Sequence, residues 1–249
     1  MEEAPLQPKV HLISWTNEPI KTMFWAFLNM HNKVPDSLIE INLTKEKEKK
    51  FLELMIKQPH QTVFEYVKTT WLLENVSRAF QQQLTRTRQA SYSIQSLRIV
   101  NPGDFATDRK YHVPDSSVSR NLQGEYHSAM LASQEYYQNL VKSGASTEDA
   151  RGILPLNIFS PVTMSIDLRA LAHMLELRMC LNTQEEFRKV AAQMKAEIGR
   201  KINKYLADNL FMPNCEKDGV CNSPVPCVKA KRYRIKVDST ALDLGWLKG

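Results

Sequence analysis

Apolar and polar positions alternate between two periods along this chain. Val10 to Ser14 is a short apolar run and predicts a strand. From Thr16 to about His31 the spacing becomes helical, with Pro19 in the first turn, where its missing N–H is harmless. Thr44 then caps a helix, KEKEKKFLELMIKQ. Its charge run reads as a solvated face, and Phe51, Leu52 and Met55 fall on the inward face. His60 to Asn75 (HQTVFEYVKTTWLLEN) is rich in aromatic and β-branched residues and reads as a strand. Ser77 caps the helix that follows, SRAFQQQLTRT.

Residues 91–98 favour an extended chain, and Asn101-Pro-Gly opens a polar loop running to about Ser117. Residues 118–143 predict a long helix. Ser146 with Asp149 resembles a capping box and opens the short helix that carries Arg151. Residues 158–166 read as a strand. Asp167 or a neighbour caps the next helix, and Thr183 with Glu186 forms a capping box for the last long one, to about Leu210. The irregular alternation indicates a mixed α and β fold. No internal repeat and no Gly/Ser linker marks a domain boundary.

Composition narrows the picture. With 249 residues there is room for one good-sized core, or two small ones. Apolar residues at 43% and charged residues at 24% are ordinary for a globular domain, which excludes general disorder. The net charge of +6 suits an anionic ligand such as a nucleotide or folate, and is too small to argue for nucleic acid. No run of about 18 apolar residues predicts a membrane span. The opening MEEAPLQPKV lacks the basic-then-apolar order of a signal peptide. A cytoplasmic protein, without nucleic-acid or membrane partners, is expected.

Several segments place arginine near hydrogen-bonding groups. Gln83 and Arg86, three apart, share one side of the helix after Ser77. Ser96 and Arg98, two apart, share one face of an extended segment. A helix end followed by a strand can converge these groups on one anion. Arginine offers a planar donor fork suited to phosphate, and serine adds a hydroxyl. The bland alternative is an exposed arginine-rich turn. Arg169 and Arg178 lie nine apart on a helix, about half a turn out of phase, so they face different ligands or different sites. His173 shares the face of Arg169. Plainer readings stand beside these: a buried structural arginine at Arg178, and a packing histidine at His173.

The chain has four cysteines, too few for a disulfide scaffold of this size. Cys180 has no obvious base partner, so packing is its default role. Cys215, Cys221 and Cys227 lie in NCEKDGVCNSPVPCVK, with five residues between successive cysteines, which is not a standard zinc-ribbon spacing. Two readings stay open: unligated thiols, or a tetrahedral metal site if Cys180 joins them. The tail KRYRIKV alternates basic and apolar residues, as an exposed edge strand does.

From Ser77 the chain reads SRAFQQQLTRTRQASYSIQSLRI. This resembles the signature of flavin-dependent thymidylate synthases, SRAFxxQxxRHRxASYSxQSxRY. Arg86, Arg88, Ser91, Ser96 and Arg98 fall on matching positions. The resemblance extends to HQTVFE upstream and to ARGILPLN and DLRALAHMLELRMCLNTQEEF downstream, about residues 10–210 in all. It implies an α+β fold, a mostly antiparallel sheet with helices, assembled as a homotetramer with active sites between subunits. A single domain over 1–210 is expected, with 211–249 as a Cys-containing, basic extension packing on it.

The resemblance also implies an activity. Such enzymes make dTMP from dUMP, with methylenetetrahydrofolate as carbon donor and NADPH reducing the FAD. Position by position, Gln83, Arg86, Ser96, Leu97, Arg98 and Arg151 would hold the nucleotide. Arg178 would sit against the uracil ring and favour its N3-ionised form. Thr62, Arg86, Thr87, Arg88, Ile94, Asp167, Arg169 and His173 would face the flavin. His60 matches a histidine near the site.

The departures are specific. Thr87 replaces the central histidine of the triplet, Ile94 a Gln or Glu, Ile99 a tyrosine, and Asp167 and His173 each an asparagine. Asp167 adds charge, although Asp and Asn cap equally well. Two alternatives follow. One is a relative that methylates or hydroxymethylates another pyrimidine nucleotide, UMP or dCMP. The other is a nucleotide-binding protein that has lost flavin.

Overall fold

The structure is a computed structural model that describes residues 5–33, 41–221, 223, 227–229 and the backbone of 234–235. A four-stranded antiparallel sheet forms its centre: β1 (Lys9–Trp15), β2 (Lys68–Glu74), β3 (Ala90–Ile94) and β4 (Val162–Asp167), in the order β1-β2-β4-β3. β3 is therefore an edge strand. Its register against β4 runs from Ala90↔Ile166 to Ile94↔Val162. The expected α+β class with an antiparallel sheet is what forms.

Helices α1 (Pro19–Met30), α2 (Lys45–Lys57), α7 (Leu168–Arg178), α8 (Glu185–Lys201) and α9 (Lys204–Leu210) close the main core. Trp71, Met164, Leu171, Phe187 and Met194 sit in it with almost no exposure. Phe51, Leu52 and Met55 are the buried positions of α2, as its pattern predicts. α3 (Arg78–Leu84) precedes β3, and between β3 and β4 the chain forms α4 (Asp115–Val118), α5 (Gln123–Lys142) and α6 (Thr147–Ala150). Here a second, smaller cluster gathers Leu97, Phe105, Tyr111, Val113, Met130 and Ile158.

Four predicted caps form. Thr44, Ser77, Ser146 and Asp167 accept from the backbone N–H of Lys47, Phe80, Asp149 and Ala170. Each satisfies one of a helix's orphan donors.

Other expectations change. His60 to Asn75 is not one strand: Thr62–Tyr66 is a 3-10 turn that buries Val63 and Phe64, and β2 begins at Lys68. The predicted strand over 158–166 begins at Val162, with Ile158 and Phe159 in isolated bridges before it. The segment read as a polar loop from Asn101 to Ser117 carries the buried Phe105, Tyr111 and Val113. The long helix expected over 118–143 is Gln123–Lys142.

The Thr183–Glu186 capping box does not form. Gln184 takes the N-cap position of α8 without a side-chain bond, and Thr183 donates to the Leu177 carbonyl. Glu186 is fully buried and instead receives the Ser77 N–H and hydroxyl, each at 2.6 Å. The Ser77 oxygen still accepts from Phe80 N at 3.0 Å, so one serine links α3 to α8. The helix expected to reach Leu210 also breaks. Asn203 caps a new helix, α9, by accepting from Leu206 N.

Beyond α9, α10 (Asn214–Asp218) leads to β5 (Val220–Cys221), which pairs in parallel with β6 (Arg234–Ile235). The rest of KRYRIKV lies outside the described residues. No helix among them is long and apolar enough to cross a membrane.

Candidate nucleotide and flavin site

A cleft of about 560 Å³ opens beside the N-terminal half of α7. Asp167, Arg169 and His173 line it, with Gln61, Glu65 and Gln89 opposite. A second hollow, about 270 Å³, shares Gln89 and Asp167 and adds Lys68, Arg88 and Ser91. Arg169 and His173 thus share one cleft, as their four-residue spacing predicts. Of the flavin positions, Arg88, Asp167, Arg169 and His173 are brought together. Thr62 is exposed on the adjoining 3-10 turn.

The charges in this region are balanced in pairs. Arg169 Nη1 donates to Glu65 Oε1. Asp167 caps α7 through Oδ1 at 2.9 Å and takes the Lys68 ammonium on Oδ2 at 3.0 Å. The extra negative charge of Asp167, a departure from the family pattern, therefore meets a lysine of the neighbouring strand. Arg86 and Arg88 are exposed, and no carboxylate among the described residues pairs with either. Thr87 is half-buried; its carbonyl lies 2.8 Å from the Tyr92 hydroxyl, which also lies 2.9 Å from the Leu84 carbonyl. Burial pushes that hydroxyl up, despite its bond at Thr87. The Tyr92 anchor fixes the backbone between the two arginines. Ile94 is half-buried and packs on the main core, so it offers no polar contact.

The nucleotide positions are not gathered at one point. α3 ends at Leu84, so Arg86 stands in the turn beyond it rather than on a helix face with Gln83. Gln83 is bonded to Gln184 Oε1. Nearby, the half-buried Arg178 lies over the Phe187 ring, 5.0 Å from its centre. Arg169 and Arg178 have different partners, as their phase requires. The extended run expected over 91–98 ends at Ile94. Ser96, Leu97 and Arg98 form a turn in which Arg98 N donates to Ser96 Oγ at 3.3 Å.

Leu97 is buried in the second cluster, between the half-buried Ser96 and the exposed Arg98. Arg98 Nε lies 3.1 Å from Glu148 on α6, and Thr147 Oγ1 donates to its carbonyl. Arg151, one residue beyond α6, is exposed in a 3-10 turn. The expected convergence of Arg86 with Ser96 and Arg98 thus does not occur within one chain. β3 separates them by five residues of strand, about 17 Å. The Arg98–Glu148 pair is well exposed, and such pairs contribute only about 0–1 kcal/mol. Arg98 can exchange this carboxylate for a phosphate at little cost.

Sequence reasoning missed Glu65, Lys68, Gln89 and Lys217 as cleft residues. Glu65 closes the HQTVFE run, which pointed to it without a role. None of the four cysteines lines either cleft.

An antiparallel α+β domain with unpaired arginines at a sheet edge and a cleft at a helix N-terminus offers cationic donors suited to an anionic ligand. The family model "Thymidylate synthase complementing protein" matches residues 11–202. Flavin-dependent thymidylate synthases of Pyrococcus abyssi and Geobacter sulfurreducens are 30% and 32% identical to this chain; each alignment covers 91% of it and 96% of the relative. Two solved structures share the fold. A UMP/dUMP methylase from Streptomyces cacaoi, bound with 5-Br dUMP, gives a TM-score of 0.69 at 19% identity over 82% of this chain and 95% of that one. Thymidylate Synthase X from Helicobacter pylori, with FAD and dUMP, gives 0.66 at 18% identity over 82% of this chain and all of that one. The chain belongs to the flavin-dependent thymidylate synthase family.

Proposed function

We propose that this protein makes dTMP from dUMP, taking the carbon from methylenetetrahydrofolate, with FAD as cofactor and NADPH as its reductant. The observation that carries this is the intact set Arg86, Arg88, Ser96, Arg98, Arg151 and Arg178 in a chain that spans nearly all of its relatives.

The residues suit a flavin. The larger cleft and the hollow beside it offer room, and the free Arg88 with Lys68 and Arg169 offers cationic donors for a diphosphate. Thr62, Arg86, Thr87, Arg88, Ile94, Asp167, Arg169 and His173 are the flavin-facing set, Ile94 through its backbone. Bound FAD would supply the redox chemistry, driving transfer of the carbon unit and then its reduction. The protein's part is orientation and electrostatics. Gln83, Ser96, the Leu97 backbone, Arg98 and Arg151 hold the nucleotide, chiefly by its phosphate. Arg178, held flat by Phe187, lies along the uracil ring and stabilises negative charge at N3.

The separation of these groups within one chain supports a homotetramer in which neighbouring copies complete each site. The open edge of β3, next to Arg88 and Ser91, is an exposed template that association would cover. Residues 5–210 then act as one catalytic domain, with the following segment packed on it.

The test is turnover by the purified full chain under anaerobic, flavin-saturated conditions. Formation of dTMP from dUMP with methylenetetrahydrofolate and NADPH is expected, and no dTMP would refute the assignment. A second reading, action on UMP or dCMP, is favoured by Thr87 and Ile94. Product mass analysis across dUMP, UMP and dCMP separates the two, and a strict dUMP preference ends the second. Colourless protein that binds dUMP and never FAD would mark a nucleotide binder without flavin chemistry.

A further inference from the structure

The chain has four cysteines, Cys180 and a group of three more than thirty residues later, and all four line one small cavity. Cys180 stands just past the C-terminal end of α7, Cys215 lies in α10, Cys221 in β5, and Cys227 follows. All are free thiols. The cavity measures about 30 Å³, room for an ion and far too little for an organic ligand. Met179, Leu181 and Pro213 supply apolar wall beside the sulfurs. Among the described residues no three ligating side chains are already arranged to hold a metal. All four thiols line the cavity, and bringing them onto one ion requires side-chain rotation.

A second observation asks for such a closure. From Asn214 onward, Cys221 is the only buried side chain among the described residues. α10 buries nothing, and β5 pairs over just two residues. A two-residue ladder does not hold a segment in place by itself. Asn182 Nδ2 donates to Ser223 Oγ at 2.9 Å and ties the segment to the turn after α7, while Lys229 lies 3.8 Å from Glu216 within the segment itself. Segments without their own core are commonly held by a disulfide or a structural metal. Four sulfurs around an ion-sized hollow match the tetrahedral tetrathiolate preference of zinc.

We propose that Cys180, Cys215, Cys221 and Cys227 bind one structural zinc ion, which fastens the C-terminal segment to the end of α7. Four S–Zn bonds form as four thiol protons pass to solvent, with no change of oxidation state. The site also has a consequence for the cleft. Lys217, two residues after Cys215, lines the α7 cleft together with His173, so the zinc would hold that lysine at its rim.

Zinc content decides the matter independently of any turnover. The full chain, purified under reducing conditions from zinc-supplemented medium, is expected to carry one zinc per chain. Its four thiols should resist a thiol reagent until a chelator removes the metal. Cys227→Ser, at a half-buried position outside both clusters, should fold normally and bind zinc roughly a hundredfold more weakly. Cobalt added to metal-free protein should give thiolate charge-transfer absorption with tetrahedral d–d bands, lost in the same variant. Less than a tenth of an equivalent of zinc together with no cobalt spectrum would overturn the proposal. So would a denatured, metal-free mass four hydrogen atoms lower under non-reducing conditions, which would show two disulfides instead.

Discussion

The two hydrophobic clusters serve the site in different ways. The main core holds the sheet and α7, and with them Arg88, Asp167, Arg169 and His173 around a cleft already formed in one chain. The smaller cluster holds Leu97, and with it Ser96, Arg98 and the nearby Arg151 on an open surface. β3 runs from one to the other. The difference teaches a division of labour: regular packing makes a pocket, while a minor core presents a few charged groups for something else to complete.

Within the main core, the buried Glu186–Ser77 contact ties α3 to α8. Breaking it should have the largest effect. Glu186→Ala leaves the Ser77 N–H without an acceptor in a fully buried place, and should cost about 3 kcal/mol in urea unfolding. Glu186→Gln should cost less, and equal losses would show that volume, not hydrogen bonding, matters there.

Next is Leu97→Ala. It removes an anchor of the smaller cluster and should cost about 2–3 kcal/mol. It should weaken dUMP binding and leave FAD affinity as it was; a matched loss of both would dissolve the distinction between the regions. Arg98→Ala acts on the same face without disturbing its core. Lost charge-assisted bonds of about 1.5–3 kcal/mol correspond to roughly tenfold to hundredfold weaker nucleotide binding. An unchanged dissociation constant by calorimetry would remove Arg98 from the phosphate site. Arg88→Ala should show the converse pattern, weakening FAD first.

The smallest effect belongs to a clasp between the two regions. Lys189 on α8 lies 2.8 Å from Asp115 of α4 and 2.6 Å from Glu185. Burial pushes the Asp115 carboxyl up, but hydrogen bonds led by that of Lys189 outweigh it and hold it below the usual range. Burial likewise lowers Lys189, and its bonds to Asp115 and Glu185 more than reverse this. A depressed carboxyl contributes stability at neutral pH that is lost as pH falls through its folded value. A raised lysine keeps its contribution until pH climbs through its own. Lys189→Met should therefore cost about 1 kcal/mol or less at pH 7, and less still in acid, as Asp115 is protonated and only the Glu185 partner is left. A loss that stayed constant into acid would point to packing instead.

What the sequence disclosed follows from the range of each interaction. Caps at Thr44, Ser77, Ser146 and Asp167 are legible because a side chain and an N–H three residues on settle them. Glu186 is not, because its partner is 109 residues away and its local pattern mimics a capping box. The 3-10 turn at Thr62–Tyr66 hid inside residues that also suit strands. The smaller cluster escaped because Phe105, Tyr111 and Val113 follow no period. For the site, residue types were legible and places were not. RTRQASYSIQSLR reads as one spot on paper, and β3 draws it out across the molecule.

That stretch of strand has a genetic consequence. If Arg88 of one copy works with Arg98 of another, two separately inactive variants need not be inactive together. Mixed assemblies of Arg88→Ala and Arg98→Ala chains would contain some sites assembled from two sound halves. Co-expressing the pair would then rescue a strain that neither rescues alone, while a chain carrying both changes would contribute no sound half to any partner.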